Sequence, residues 1–144
     1  MFALTLMSGL VIAALAIFGA IVWTTYPKRQ RCKRFEGRSD LTLDQIYIEF
    51  FAPKNLPKAL VCELWKEVAE PLHLPPGKLR PNDRFSEELA PPKGWEWDDD
   101  IVEVQWAGER RLKRSGIKAD LSAIKTLGDY VEFFCDLTTQ KQQA

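Results

Sequence analysis

The sequence predicts an all-α protein, with one N-terminal transmembrane helix followed by a small helical bundle. Three observations lead there. Residues 2–26 carry no charged side chain. Apolar residues recur at helical spacing through 41–52 and 57–72. Prolines and capping residues then mark where those segments start and stop.

The anchor comes first. Twenty-five uncharged residues rise about 37 Å as a helix, more than the roughly 30 Å hydrocarbon core of a bilayer. Five cations follow within 28–34, at Lys28, Arg29, Arg31, Lys33 and Arg34. A cleaved signal peptide has its positive charge before the apolar stretch, and here the charge comes after it. The order predicts an uncleaved, single-pass anchor. Its N-terminus lies outside and the following domain is cytoplasmic, at a bacterial inner membrane. Trp23 and Tyr26 fall where aromatic rings settle at a membrane surface, and the five cations fall where anionic headgroups attract them. Gly9, Ala13, Ala16 and Ala20 share one face. That face would let two copies approach as a homodimer, although such residues are also common in membrane helices.

A formal net charge of zero hides a division along the chain. Residues 28–39 hold six Lys or Arg against Glu36, a net of +5. Residues 40–144 hold fourteen basic and nineteen acidic residues, a net of −5. The implied parts are an anchor at 1–27, a basic juxtamembrane linker at 28–39, a cytosolic helical domain at 40–137 and a frayed tail at 138–144. The domain is long enough for one core.

Within the domain, Ser39 and Asp40 are expected to cap a helix over 41–52, which Pro53 ends. Pro57 opens the next, over 57–72, with Leu60, Val61, Leu64, Trp65, Val68 and Leu72 on its apolar face. Residues 75–100 read as a long irregular connection pinned to the core by Phe85 and Leu89. Residues 101–112 are ambiguous. Three aspartates at 98–100 suit a helix start, whereas alternation at Val102, Val104 and Trp106 suits a strand. Helix is the preferred reading, and a short hairpin at about 95–106 in an α+β fold is the alternative. Thr126 and Asp129 have the form of a capping box for a last helix.

Little catalytic chemistry is available. The lone histidine, His73, sits near a helix end, and neither a nucleophile elbow nor a phosphate loop is present. The acids at 96 and 98–100 lack calcium-loop spacing. Cys32, Cys62 and Cys135 share no metal-like spacing, and Cys62 and Cys135 fit small buried hydrophobes. No enzyme, metal, cofactor or nucleic-acid partner is expected. Trp95, Trp97 and Trp106 are candidate interface anchors, and the basic run at 110–114 is either a solvated helix end or a charged contact surface.

Two motifs resemble those of acyl carrier proteins, over roughly residues 56–137. Asp83-Arg84-Phe85-Ser86-Glu87-Glu88-Leu89 is similar to the carrier loop pattern Asp-x-Phe-x-x-Asp/Glu-Leu. Ile124-Lys125-Thr126-Leu127-Gly128-Asp129-Tyr130-Val131 is similar to the start of the carriers' last helix. The resemblance extends to acyl-carrier-like bacterial families that lack the phosphopantetheine serine. Asp100 stands at that serine's position, and an insertion at 91–97 precedes it. The resemblance implies the carrier fold without its cofactor. It also implies that replacing Asp100 leaves stability almost unchanged, and that the partner surface runs from the loop into the second carrier helix through Trp95, Trp97, Asp98, Asp99, Asp100 and Glu103. The expected function is a non-enzymatic, membrane-tethered protein-interaction module. A true carrier with a displaced attachment site and an inner-membrane immunity or regulatory protein are the alternatives.

Overall fold

The computed structural model describes residues 2–95 and 100–143, with side chains over 9–95 and 100–142. Among them the protein is all-α, with five α-helices and no strand. Its one bridge pairs Arg84 with Thr126.

Helix α1 runs from Phe2 to Lys33. It is long and apolar enough to span a membrane. Its side chains from Leu10 to Tyr26 include ten large exposed hydrophobics, while the rest of the described chain has two, Ile48 and Trp106. The domain therefore has its own core, and the apolar part of α1 stays largely uncovered by it. Pro27 lies inside α1 and lacks an amide proton. Just before it, the hydroxyls of Thr24 and Thr25 donate to carbonyls one turn back, Thr25 to Ile21 at 2.8 Å and Thr24 to Ala20 at 3.1 Å.

The segment read as a basic linker is a packed joint. It is helical through Lys33, then turns, and places Phe35 in the core with no exposed surface. Its arginines explain why. Arg31 is fully buried and donates to the Leu72 carbonyl at 3.3 Å and the Asp100 carboxylate at 3.1 Å. Arg34 donates to the carbonyls of Glu87, Glu88 and Ala90. Arg38 donates to both oxygens of the buried Asp83 carboxylate at 2.8 Å.

Helix α2, Leu43–Ile46, starts later than its sequence suggests. Thr42 caps it, not Ser39 or Asp40, in a reciprocal box with Gln45. The chain widens into a π-turn at Tyr47–Phe51 and tightens at Ala52–Lys54, where Pro53 sits. Helix α3, Lys58–Ala69, buries Val61, Leu64, Trp65, Val68 and Ala69. It ends short of residue 72 because His73 takes a left-handed conformation, φ 53°, and Leu74 N–H returns to the Ala69 carbonyl. The Trp65 indole donates to the Pro76 carbonyl at 2.9 Å and meets Phe51 edge to face. Gly77 lies beside these groups. A methyl there would overlap the Asp40 carboxylate and the Leu41 carbonyl oxygen.

Helix α4 spans Asp100–Ser115, so the hairpin alternative fails over 100–106. Gly108 brings it close to Tyr130 and Phe134 on helix α5, with 3.4 Å left for any added carbon. Helix α5, Leu127–Gln143, is capped as expected. The Thr126 hydroxyl accepts from Asp129 N–H, and the Asp129 carboxylate accepts from Thr126 and Lys125. It continues through the residues expected to fray, helped by Thr138 and Thr139 bonding one turn back. Phe85 and Leu89 pack as the expected pegs, Leu89 fully buried.

Candidate functional site

Helices α3, α4 and α5 meet at one carboxylate. Glu67 of α3 accepts from Arg111 of α4 at 2.9 and 3.0 Å, and from the Tyr130 hydroxyl of α5 at 2.5 Å. Arg111 also bonds Glu63, one turn earlier on α3. Burial works against the Arg111 charge, but the hydrogen bonds from Glu67 and Glu63 outweigh it and hold the guanidinium more basic than usual. Burial, reinforced by the Glu67 carboxylate, raises the Tyr130 hydroxyl far above its ordinary range. Glu67 and Arg111 of this network line a cleft.

The cleft lies between α3 and α4 and encloses about 710 Å³. Glu70 and His73 contribute to one wall, and Glu103, Trp106, Arg110 and Arg114 to the other. The four α4 residues are spaced three, four and four apart, so one helix face presents them all. Trp106 is 55% exposed, the only large aromatic outside α1 so open to solvent among the described residues. Arg110 and Arg114 form no salt bridge among the described residues, unlike their neighbour Arg111. An exposed indole beside unpaired cations suits binding of a group that is apolar in part and anionic in part.

Catalytic geometry is thin. Among the described residues no cluster of three His, Cys, Asp or Glu could hold a metal. The imidazole of His73 meets the Lys28 ammonium at 2.8 Å, which ties α1 to the end of α3. Cys32 donates to the His73 carbonyl at the same joint. Cys135 is buried as expected, whereas Cys62 is only partly covered.

Three of the residues expected to form one partner surface, Trp95, Asp100 and Glu103, are described, and each has different neighbours. Trp97, Asp98 and Asp99 lie outside the described residues. Trp95 packs against α1, with ring centroids 4.7 Å from Trp23 and 5.8 Å from Tyr26. Asp100 faces Arg31, and Glu103 stands in the α3–α4 cleft. The cations expected at a membrane surface divide as well. Arg31, Arg34 and Lys28 bond to protein groups, and Arg29 and Lys33 remain exposed. The grouping of Trp106 with Arg110 and Arg114 was present in the sequence as a helical spacing. The strand-like alternation of Val102, Val104 and Trp106 masked it.

The segments at 83–89 and 124–131 meet in space. Leu127 N–H bonds the Asp83 carbonyl at 2.9 Å, and Phe85 N–H bonds the Lys125 carbonyl at 3.0 Å. Comparison with protein-family models, with curated proteins and with solved structures finds no match for the chain.

Proposed function

We propose that this chain is a single-pass membrane protein whose cytoplasmic domain is a non-enzymatic protein-interaction module. One observation carries the reading: Trp106 stands exposed on a folded domain, over a cleft whose rim holds two arginines without salt bridges among the described residues. Leaving a tryptophan in water forgoes a large burial energy, and interfaces recover it. The partner that fits is a protein segment pairing an apolar side chain with a carboxylate. The cations after the apolar helix support an N-out orientation, with the domain on the cytoplasmic face of a bacterial inner membrane.

The acyl-carrier-like reading is part of the proposal. It is supported by the order and spacing of the two motifs and by their bonding to each other. The position aligned with the carrier serine holds Asp100, whose carboxylate is engaged by Arg31. That engagement favours a binding module over a loaded carrier.

The test is photo-crosslinking in the native host. A photoreactive residue at the exposed Glu70, on the α3 wall of the cleft, is expected to give one discrete protein adduct, which Trp106→Ala with Arg110→Ala abolishes. The same probe at Glu49, outside the cleft lining, is expected to give none. No adduct at 70, or one indifferent to the double substitution, overturns the reading.

A further inference from the structure

The connection before α4 returns to the anchor. Trp95 packs at a tilt against Trp23 and Tyr26, and the stretch from Pro92 to Trp95 lies along the same face of α1 that carries Gln30, Lys33 and Arg34. Positions 23, 26, 30, 33 and 34 share that face because they fall three or four apart. Between loop and helix is an open recess of about 530 Å³. Its described lining holds three cations, Lys33, Arg34 and Lys93, and no acid. Arg34 spends one guanidinium nitrogen on loop carbonyls. Lys33 and Lys93 have no side-chain partner among the described residues.

The recess sits at a definite height. Gln30 is about 6 Å beyond Tyr26 along the helix and Lys33 about 10 Å beyond. The polar layer on each side of the hydrocarbon core is roughly 5–8 Å thick. If Tyr26 marks the edge of the hydrocarbon, the recess opens level with the phosphates, and long lysine side chains reach back toward them. Aromatic rings on the hydrocarbon side and ammonium groups on the water side match the two ends of a phospholipid.

We infer that this recess binds the phosphate headgroup of an anionic phospholipid, with Lys33 and Lys93 as its charged contacts and Trp95 and Tyr26 against its glycerol and upper chain. The inference rests on the anchor reading above. It gives the loop at 92–95 the role of a second membrane contact, which would set the domain's orientation on the bilayer as well as its distance.

The experiment uses the full chain in nanodiscs of phosphatidylcholine mixed with phosphatidylglycerol, and native mass spectrometry of the lipid it retains on release. The wild type is expected to retain phosphatidylglycerol in preference to phosphatidylcholine. Lys33→Gln with Lys93→Gln is expected to reduce that preference about thirtyfold, the combined effect of two lysines near an anionic surface. Both lysines are outside the core, so an unchanged helical spectrum and melting temperature in the variant show that the loss is local. Equal retention of both lipids by the wild type, or an unchanged preference in the variant, overturns the inference. Displacement of the retained lipid by millimolar inorganic phosphate would also overturn it, by showing a site for soluble phosphate. Flotation with vesicles of phosphatidylcholine alone separates the two readings. A chain that floats but shows no preference keeps its anchor and loses this site, and a chain that does not float loses both.

Discussion

Arg31, in the last turn of α1, and Asp100, at the first residue of α4, lie 3.1 Å apart although 69 residues separate them. Arg31 is fully buried and the Asp100 side chain is 15% exposed. The pair joins the end of the apolar helix to the start of the helix that forms one wall of the cleft. It also reverses an expectation drawn from the resemblance, under which Asp100 would be replaceable at little cost.

Asp100→Ala is expected to destabilise the protein by about 3 kcal/mol, because it takes a carboxylate away from a buried guanidinium. Arg31→Met with Asp100→Ala should cost less than Asp100→Ala alone, since the buried charge is then gone as well. Denaturant unfolding in detergent of the wild type, Asp100→Ala, Arg31→Met and the double variant measures the coupling. Additive effects would mean that the pair is incidental.

Gly77→Ala is expected to lower stability by about 1–3 kcal/mol through overpacking against Asp40 and Leu41. Thermal unfolding checks it. Trp106→Ser, at an exposed position, should leave the same midpoint almost unmoved, which separates the binding surface from the core.

Acid should weaken the cap of α5 in a particular window. Burial opposes the Asp129 charge, but the Lys125 and Thr126 amides outweigh it and lower its pKa. A carboxyl with a lowered folded-state pKa contributes stability above its unfolded pKa, about 3.9, and loses it as pH falls further through the folded value. Wild type should therefore exceed Asp129→Asn in stability at neutral pH. The gap should close below about pH 4. A gap that stays constant from pH 7 to pH 3 would show that the cap does not depend on the charge.

The cysteines should separate by reactivity. Burial pushes the Cys135 thiol up to about 11, so at pH 8 it is a neutral, covered group. Alkylation of the folded chain with iodoacetamide should modify the partly exposed Cys62 well before Cys135, as read by peptide mass spectrometry. Equal rates would mean that α5 opens readily.

The helices were legible in the sequence where their signals are local. The stripe of α3 and the Thr126–Asp129 cap of α5 depend on residues within a few positions of each other, and both are where the pattern puts them. The basic segment was misread because its partners are remote. A run of cations after an apolar stretch has a sufficient explanation in topology, and nothing near Arg31 reveals a carboxylate that arrives 69 residues later. The same reason hid the destination of Trp95, whose partners Trp23 and Tyr26 belong to α1. Ser39 and Asp40 looked like helix caps by residue type, but Thr42 with Gln45 supplies the reciprocal pair. The candidate cleft needed the helical assignment of 100–115, which alternation at Val102, Val104 and Trp106 had left open.

Helix α1 and the domain form one continuous unit, joined at residues 28–35. Hydrogen–deuterium exchange of the full chain in phosphatidylcholine nanodiscs tests it most directly. The account predicts that the amides of Gln30 to Phe35 exchange as slowly as those of α3, because helix and buried side chains hold them. Exchange at the rate of an unstructured tether would contradict it, and would return this segment to the basic juxtamembrane linker that its charge suggests.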